Sequence, residues 1–390
     1  MSSELKGKKV LAIIGGTELL GSERGTLEAL LSLHRQGASI VVGVSGREKD
    51  GGAVGAQARS FGFETFNLPY GSHFHYSWMI DDPGYRWRQI KRLWTNSRCL
   101  SRAIRTHRPT HLMNGSVLAY IFCFLAFQWH RLPLIYRMGD APVAESQFQM
   151  FFWRSLVRRS KTIVTISEYI KLQVLRFAPM ATPKCVVIHN KVITRTTPAN
   201  GLEIKALKTA KKELQLVYVG NITEQKGVPL LIQAVLEIND PALGLWIVGG
   251  GQHSRDLEDS LKSSTSLSKS ASEIKFFGYQ DNPTPFFLCA DWHIAPSTSA
   301  EALGNVVQEA KSVGTPSIVS PIGGLPELIE DGVDGFIMAG ADAIEIQETI
   351  EALPKNTFNA SQFGIRAKNS LQNLCGEEKF DTLWHKALTR

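Results

Sequence analysis

The sequence predicts an α/β protein built from two parallel sheets, each covered by helices. Three observations carry that prediction. Short apolar runs alternate with longer helix-like stretches along almost the whole chain, a βαβα rhythm that belongs to parallel sheets. The rhythm lapses once, from Ile193 to Lys212, into T-R-T-T-P-A-N-G and a lysine-rich run that reads as a linker. At 390 residues the chain is also long enough for two domains of ordinary size.

In order, strands are expected at Lys9–Ile14, Ser39–Val44, His111–Met113, Leu134–Tyr136, Ile163–Ile166 and Cys185–His189, with a loop rich in Pro, Gly and aromatics after Phe63–Leu68. Helices are expected at Glu23–Gln36, from about Tyr85 to Thr106, and over the apolar stretch 117–129. Past the linker, strands are expected at 214–219, 244–248, 274–278, 292–295, 316–319 and 335–338, with helices between them. The Ser/Lys-rich tract 260–272 reads as a mobile loop.

Composition narrows the class. Five cysteines without C-x-x-C spacing indicate neither a zinc site nor a disulfide framework, which fits a reduced cytoplasmic setting. The start, M-S-S-E-L-K-G-K-K, lacks signal-peptide shape. The longest apolar run, Val117–Phe127, is far shorter than the ~20 residues of a spanning helix. The net charge of +7 is uneven: between Arg86 and Lys161 lie fourteen Lys/Arg against two acids, Asp140 and Glu145. Such a stretch is either a solvated helix face or a surface for a phosphate-bearing partner. The accompanying Trp87, Trp94, Trp129 and Trp153 suggest peripheral contact with an anionic membrane. The aromatic spacing of RNA-binding modules is absent, so no nucleic-acid partner is expected.

The most informative stretch is Ala295–Glu309, A-P-S-T-S-A-E-A-L-G-N-V-V-Q-E. A buried strand ends at Pro296, and a helix opens at Gly304 and Asn305, so the start of that helix, with Leu303 to Val306, offers backbone N–H groups and a positive dipole end to an anion. Glu301 and Glu309 bracket this anion site. A carboxylate repels phosphate but accepts strong hydrogen bonds from paired hydroxyls. A ligand ordered as hydroxyls, phosphate, hydroxyls fits, which describes a nucleotide-sugar. The glycine-rich loop at 13–25 lacks G-x-G-x-x-G, and no acid ends the following strand, which disfavours a dehydrogenase.

Downstream stand E-A-K-S-V-G-T-P (309–316), S-P-I-G-G-L-P-E-L-I (320–329) and D-G-V-D-G-F (331–336). Taken with Ala295–Glu309, about forty residues in order, this resembles the donor-site signature of the GT-B glycosyltransferases of family 4 (glycosyl transferases group 1). The resemblance implies α/β architecture of the GT-B kind, two doubly wound Rossmann-like domains facing a central cleft. They would span 1–195 and 211–371, with a C-terminal helix 372–390 packing back on the first. G-S-E-R at 21–24 is similar to the family's G-G-x-E-R, which places Gly21 near the donor diphosphate or the acceptor. V-G-N-I-T-E-Q-K-G (219–227) is similar to G-R-x-x-x-x-K-G, with Gly220 and Lys226 matching and Asn221 in place of the arginine. The loops around G-G-G-Q (249–252) and F-F-G-Y (276–279) would line the nucleotide pocket, with backbone groups at Gly278 and Tyr279 near the base. I-Y-R-M-G-D (135–140) keeps the family's Asp140 but has Gly139 for its histidine, a space that Arg137 could fill. Glu327 reads as structural, and Lys191 replaces a common glycine near the hinge.

The resemblance implies a retaining hexosyltransferase that needs no metal or cofactor. It would carry a sugar from a nucleoside diphosphate donor, UDP more than GDP, to a hydroxyl acceptor such as a lipid-linked or polysaccharide intermediate at the inner face of the membrane. Glu301, Lys226 and Asp140 are the expected catalytic residues. A nucleotide-sugar epimerase or a phosphorylase are the enzyme alternatives, and a degenerate, non-catalytic nucleotide-sugar-binding protein is the alternative from another class.

Overall fold

The computed structural model describes residues 4–46, 48–69, 83–142, 147–191, 206–207, 209–250, 255–354 and 357–390. The chain divides into two compact units, Met1–Lys191 with Glu377–Arg390, and Val192–Gly376. Most of the expected linker lies outside the described residues.

The first unit holds seven parallel strands: β1 (Lys9–Ile13), β2 (Ser39–Ser45), β3 (Glu64–Leu68), β4 (His111–Asn114), β5 (Leu134–Met138), β6 (Thr162–Thr165) and β7 (Cys185–Val187). Their order is β3-β2-β1-β4-β5-β6-β7. Helices cover both faces, so inner strands such as β4 and β5 are buried throughout and read as continuous apolar runs. The helix Glu377–Thr389 completes this core, setting Phe380, Trp384, Ala387 and Leu388 among Val10, Leu27, Leu30 and Ile40.

The second unit holds β8 (Leu214–Val219), β9 (Leu243–Val248), β10 (Glu273–Gly278), β11 (Trp292–Ala295), β12 (Ser317–Val319) and β13 (Gly335–Ile337), ordered β10-β9-β8-β11-β12-β13 and also parallel. Alternation along a strand sorts side chains to two faces: Leu243, Leu245 and Ile247 enter one core, while Trp246 and Val248 enter the other. Each unit is thus a doubly wound, Rossmann-like sheet.

Two expectations need correction. The tract 260–272 is not a loop for most of its length, because the helix Arg255–Leu267 runs through it. Asp256 and Glu258 sit at its positive end, Glu258 pairs with Lys262 one turn on at 2.7 Å, and Leu257 and Leu261 pack on the core. Its serine and threonine hydroxyls bond back to carbonyls of the preceding turn, as Ser263 does to Asp259 at 2.8 Å, so a composition typical of loops is accommodated in a helix. The stretch 117–129 forms two helices, Val117–Phe122 and Phe124–Trp129, meeting at Cys123. Both pack on the helix Pro83–His107, and the first also rests on the helix Gln147–Arg159. Among the described residues, no helix is long and apolar enough to cross a membrane.

Candidate active site

In open parallel sheets, ligands bind beyond the carboxyl ends of the strands where the strand order reverses. In the second sheet that point lies between β8 and β11, paired Leu216 to Trp292 and Val217 to His293. The two loops that leave these strands carry most of the residues singled out by sequence.

After β8, the Tyr218 hydroxyl donates to the Asn221 carbonyl at 2.7 Å and holds the turn. Thr223 Oγ1 accepts the Lys226 N–H at 3.2 Å and caps a short 3-10 turn, Glu224–Lys226. Gly227 follows with φ +70°, and a Cβ there would run into the Pro296 carbonyl, so only glycine lets the two loops meet. They are then tied together: the Thr298 N–H donates to the Gln225 carbonyl at 2.9 Å, and Thr298 Oγ1 to the Glu224 carbonyl at 3.0 Å.

This pinning brings Lys226 Nζ to 2.9 Å from Glu301 Oε1, which also accepts from Ser297 Oγ. Behind Glu301 stands the glycine pair of I-G-G-L-P-E. The Gly324 N–H donates to the Glu301 carbonyl at 2.8 Å. At Gly323, φ +71°, any Cβ would strike the Glu301 backbone. The motif therefore fixes the backbone of Glu301, and Glu327 belongs to the 3-10 turn Leu325–Leu328 that follows.

The helix Asn305–Val313 starts beside them, with Gly304 at its N-cap (φ +98°), a residue with no side chain to cap it. Leu303 is buried below. Together these parts enclose a cavity of about 250 Å³ whose wall includes Gly220, Asn221, Lys226, Glu301, Gly304 and Val306.

Sequence reasoning missed the floor, formed by Tyr218, Ser297 and His293. His293 is fully buried, with Nδ1 3.0 Å from Ser317 Oγ and Nε2 without a partner among the described residues. Burial pushes its pKa down to about 3 and keeps the ring neutral. Burial, with the Glu301 charge second, pushes the Tyr218 hydroxyl up. The available signal was a histidine inside the apolar run W-H-I-A.

Of the donor-site expectations in the second unit, Leu303, Asn305, Glu309, Gly278 and Tyr279 do not line this cavity. Glu309 is half-buried, one turn (about 5.4 Å) deeper in the helix. Gly278 ends β10 and Tyr279 follows it, two strands away from β8. The Gly278 carbonyl accepts the Gly249 N–H at 2.8 Å, and Tyr279 is 76% exposed. Among the described residues no His, Cys, Asp or Glu side chains gather as a metal-binding group.

In the first unit, Gly21 opens the helix Gly21–Arg35 and Asp140 lies exposed just past β5. Arg137 stands beside the space at Gly139, its Nη1 3.7 Å from where a Cβ there would sit. Its guanidinium is buried, with Nη1 donating to the Ser22 carbonyl and Thr26 Oγ1 at 3.1 Å each, and Nη2 donating to Asn190 Oδ1. Burial lowers its pKa to about 10, opposed by the charges of Asp140 and Glu23. Glu23, against Gly16, has its pKa raised chiefly by burial, with Asp140 and Glu18 acting the same way. A Cβ on Gly139 would lie 2.7 Å from Ser22 Oγ, so a larger residue there requires Ser22 to move. Lys191 pairs with Glu377 at 3.2 Å.

The basic stretch also needs revision. Trp153 is buried, edge-on to Tyr136 at 5.9 Å, and so leaves the exposed set to Trp87, Trp94 and Trp129. Arg159 is committed to the carbonyls of Phe127, His130 and Leu132, each at 2.7 Å, which closes the helix Phe124–Trp129.

Comparison with known proteins agrees with this geometry. The chain is 32% identical over 165 residues to the lipopolysaccharide core biosynthesis glycosyltransferase LpsE of Rhizobium meliloti (strain 1021), covering 42% of this chain and 43% of that one. It is 26% identical over 237 residues to the alpha-maltose-1-phosphate synthase of Mycobacterium tuberculosis, covering 56% and 60%. The chain thus spans about half the length of these relatives. The fold matches Anabaena Alr3699/HepE in complex with UDP and glucose (TM-score 0.77, 18% identity, 98% and 99% coverage). It also matches a glycosyltransferase from Rickettsia africae ESF-5 (TM-score 0.79, 16% identity, 98% of each chain). Residues 201–370 match the family model of glycosyl transferases group 1, and the structural matches show a GT-B fold.

Proposed function

We propose that the chain is a retaining, family 4 hexosyltransferase that moves a sugar from a UDP-sugar to a hydroxyl acceptor. The observation that carries this reading is the meeting of Lys226, Glu301 and an uncapped helix start in one cavity at the switch point of the second sheet. A cation and a helix N-terminus suit a departing diphosphate, and such fixed charges are most effective where water is excluded. Glu301, held by Gly323 and Gly324, is positioned to accept hydrogen bonds from sugar hydroxyls, and Lys226 would exchange its partner from carboxylate to phosphate when donor enters. The cavity is smaller than the roughly 300–1,000 Å³ of a whole small-molecule site, so it takes the phosphate and sugar end. The ribose and base would extend toward Glu309, Gly278 and Tyr279. The sequence offers no carboxylate motif for a nucleophile on the donor's other face, and the leaving phosphate would take the acceptor proton on the front face. The roles of Gly21 and Asp140, both in the first unit, rest on the family resemblance.

UDP over GDP draws support from the UDP complex of Anabaena Alr3699/HepE, and a glycoconjugate acceptor from LpsE. The basic first unit with exposed Trp87, Trp94 and Trp129 supports peripheral binding to an anionic cytoplasmic leaflet and a lipid-linked acceptor. Vesicle co-sedimentation should show binding to anionic but not zwitterionic vesicles, weakening as salt rises.

A second reading, binding without turnover, is favoured by Asn221 in place of arginine and by Gly139 closed off by Ser22. The deciding experiment is a thermal-shift screen of UDP- and GDP-sugars followed by donor hydrolysis and transfer by purified protein. Stabilisation by UDP-sugar with turnover supports the transferase, stabilisation without turnover the binding protein, and no stabilisation overturns both.

A further inference from the structure

The first unit carries a second cavity, about 940 Å³, between the helices Pro83–His107 and Phe124–Trp129. Its walls differ in chemistry. One wall presents Arg98, Arg102 and Arg105, all exposed, at spacings of four and three that place them along one helix face. The other is apolar, formed by Leu125, Ala126 and Trp129. Among the described residues no aspartate or glutamate lines it. Trp129 is 84% exposed, Trp94 52% and Leu125 43%, and large apolar side chains left in water around one concavity mark a binding surface rather than ordinary scatter. Arg98 stacks on Trp94, 4.7 Å from the ring centroid, so an aromatic face already holds one cation in place at the rim. His130, also in the wall, has a buried Nε2 with no partner among the described residues, a nitrogen that a ligand oxygen would satisfy.

We propose that this groove holds a single phosphate-headed lipid, its phosphate on Arg98, Arg102 and Arg105 and its hydrocarbon chain between Trp94, Leu125 and Trp129. Charge complementarity selects an anion, because a cationic wall without a neighbouring carboxylate repels cations and leaves zwitterions unpaired. The apolar wall selects a chain-bearing anion over free phosphate. Single-stranded nucleic acid would need stacking platforms spaced along a charged track, whereas here Trp94 and Trp129 sit on opposite helices beside one row of cations. The inference deepens the membrane-facing part of the proposed function and rests on it. It differs in demanding one saturable site rather than diffuse attraction to a leaflet.

The test titrates the whole protein with dihexanoyl phosphatidic acid below its micelle concentration, followed by tryptophan fluorescence and calorimetry. Dihexanoyl phosphatidylcholine, inorganic phosphate and a short oligothymidylate serve as comparators. One-to-one, saturable binding to phosphatidic acid is expected, about tenfold or more tighter than to phosphatidylcholine, with no binding of inorganic phosphate at the same concentrations. The double variant Arg102→Glu, Arg105→Glu should lose about tenfold or more. Leu125→Trp, which fills the apolar wall and keeps every cation, should weaken the lipid as well. Equal affinity for phosphatidylcholine, tighter binding of the oligonucleotide, or wild-type affinity in both variants overturns the proposal. UDP binding by the second unit, measured in the same samples, reports folding and separates the readings. Lipid binding without UDP-sugar turnover would overturn the transferase and leave the groove, and turnover without lipid binding would do the reverse.

Discussion

The two units reverse their strand order at the same kind of place, between β1 and β4 in the first and between β8 and β11 in the second, and they treat it oppositely. In the second, glycines bring two loops close without filling the space between them, and the cavity of Lys226 and Glu301 results. In the first, Gly115 packs on Thr26 beyond β4, while Arg137 reaches from β5 to bind Ser22, Thr26 and Asn190. One sheet leaves a cavity at its crevice, and the other ties it with a buried cation. The same fold therefore puts stability and binding at equivalent positions in different units.

Four experiments would break or sharpen that contrast. The largest effect is expected for Arg137→Met, which leaves Asn190 and the Ser22 carbonyl without their buried partner. Urea unfolding should show a loss of about 3–5 kcal/mol, and a loss below about 1 kcal/mol would mean that the tie is not structural.

Next comes pH. The pKa of His293 is depressed to about 3 in the folded chain against about 6.5 unfolded. The unfolded state therefore binds the extra proton first. The stability from the neutral ring is fully present above pH ~6.5 and is lost progressively as pH falls toward ~3. His293→Phe should flatten the stability profile over that window, and an unchanged slope would assign acid sensitivity to other groups.

Smaller is Glu309→Ala, which should weaken UDP and UDP-sugar alike by about 1.5–3 kcal/mol, roughly ten- to a hundredfold. Glu301→Ala should weaken only the sugar-bearing donor. Identical behaviour of the two variants on both ligands would dissolve the assignment of ligand ends. The smallest change is Asn221→Arg, expected to tighten UDP a fewfold by adding the missing charge. Unchanged affinity in a folded variant would show that this position faces away from the phosphates.

What the sequence made legible follows the same division. The strands of the second unit were readable almost to the residue, because strands buried on both faces leave unbroken apolar runs. Glu301 and Gly304 were readable because each sits at a strand–loop–helix junction, and Lys226 because V-G-N-I-T-E-Q-K-G resembles a family motif. His293 and Tyr218 were not, since a buried polar side chain facing a cavity from within a strand looks like any core residue. Nor was the burial of Arg137, which depends on Thr26 and Asn190, residues distant in the chain. The tract at 260–272 misled because serine-rich composition speaks for loops while its hydroxyl groups found carbonyl partners one turn back.

The helix Glu377–Thr389 belongs to the first unit, although the chain completes the whole second unit before reaching it. On a ribosome, the first sheet would emerge with the places of Phe380, Trp384 and Leu388 unfilled, while residues 192–376 could reach their native form as soon as they clear the exit tunnel. Synthesis thus delays the final closure of the earlier unit until the later one exists, and a chain arrested before Glu377 would present an incomplete apolar core to chaperones and proteases.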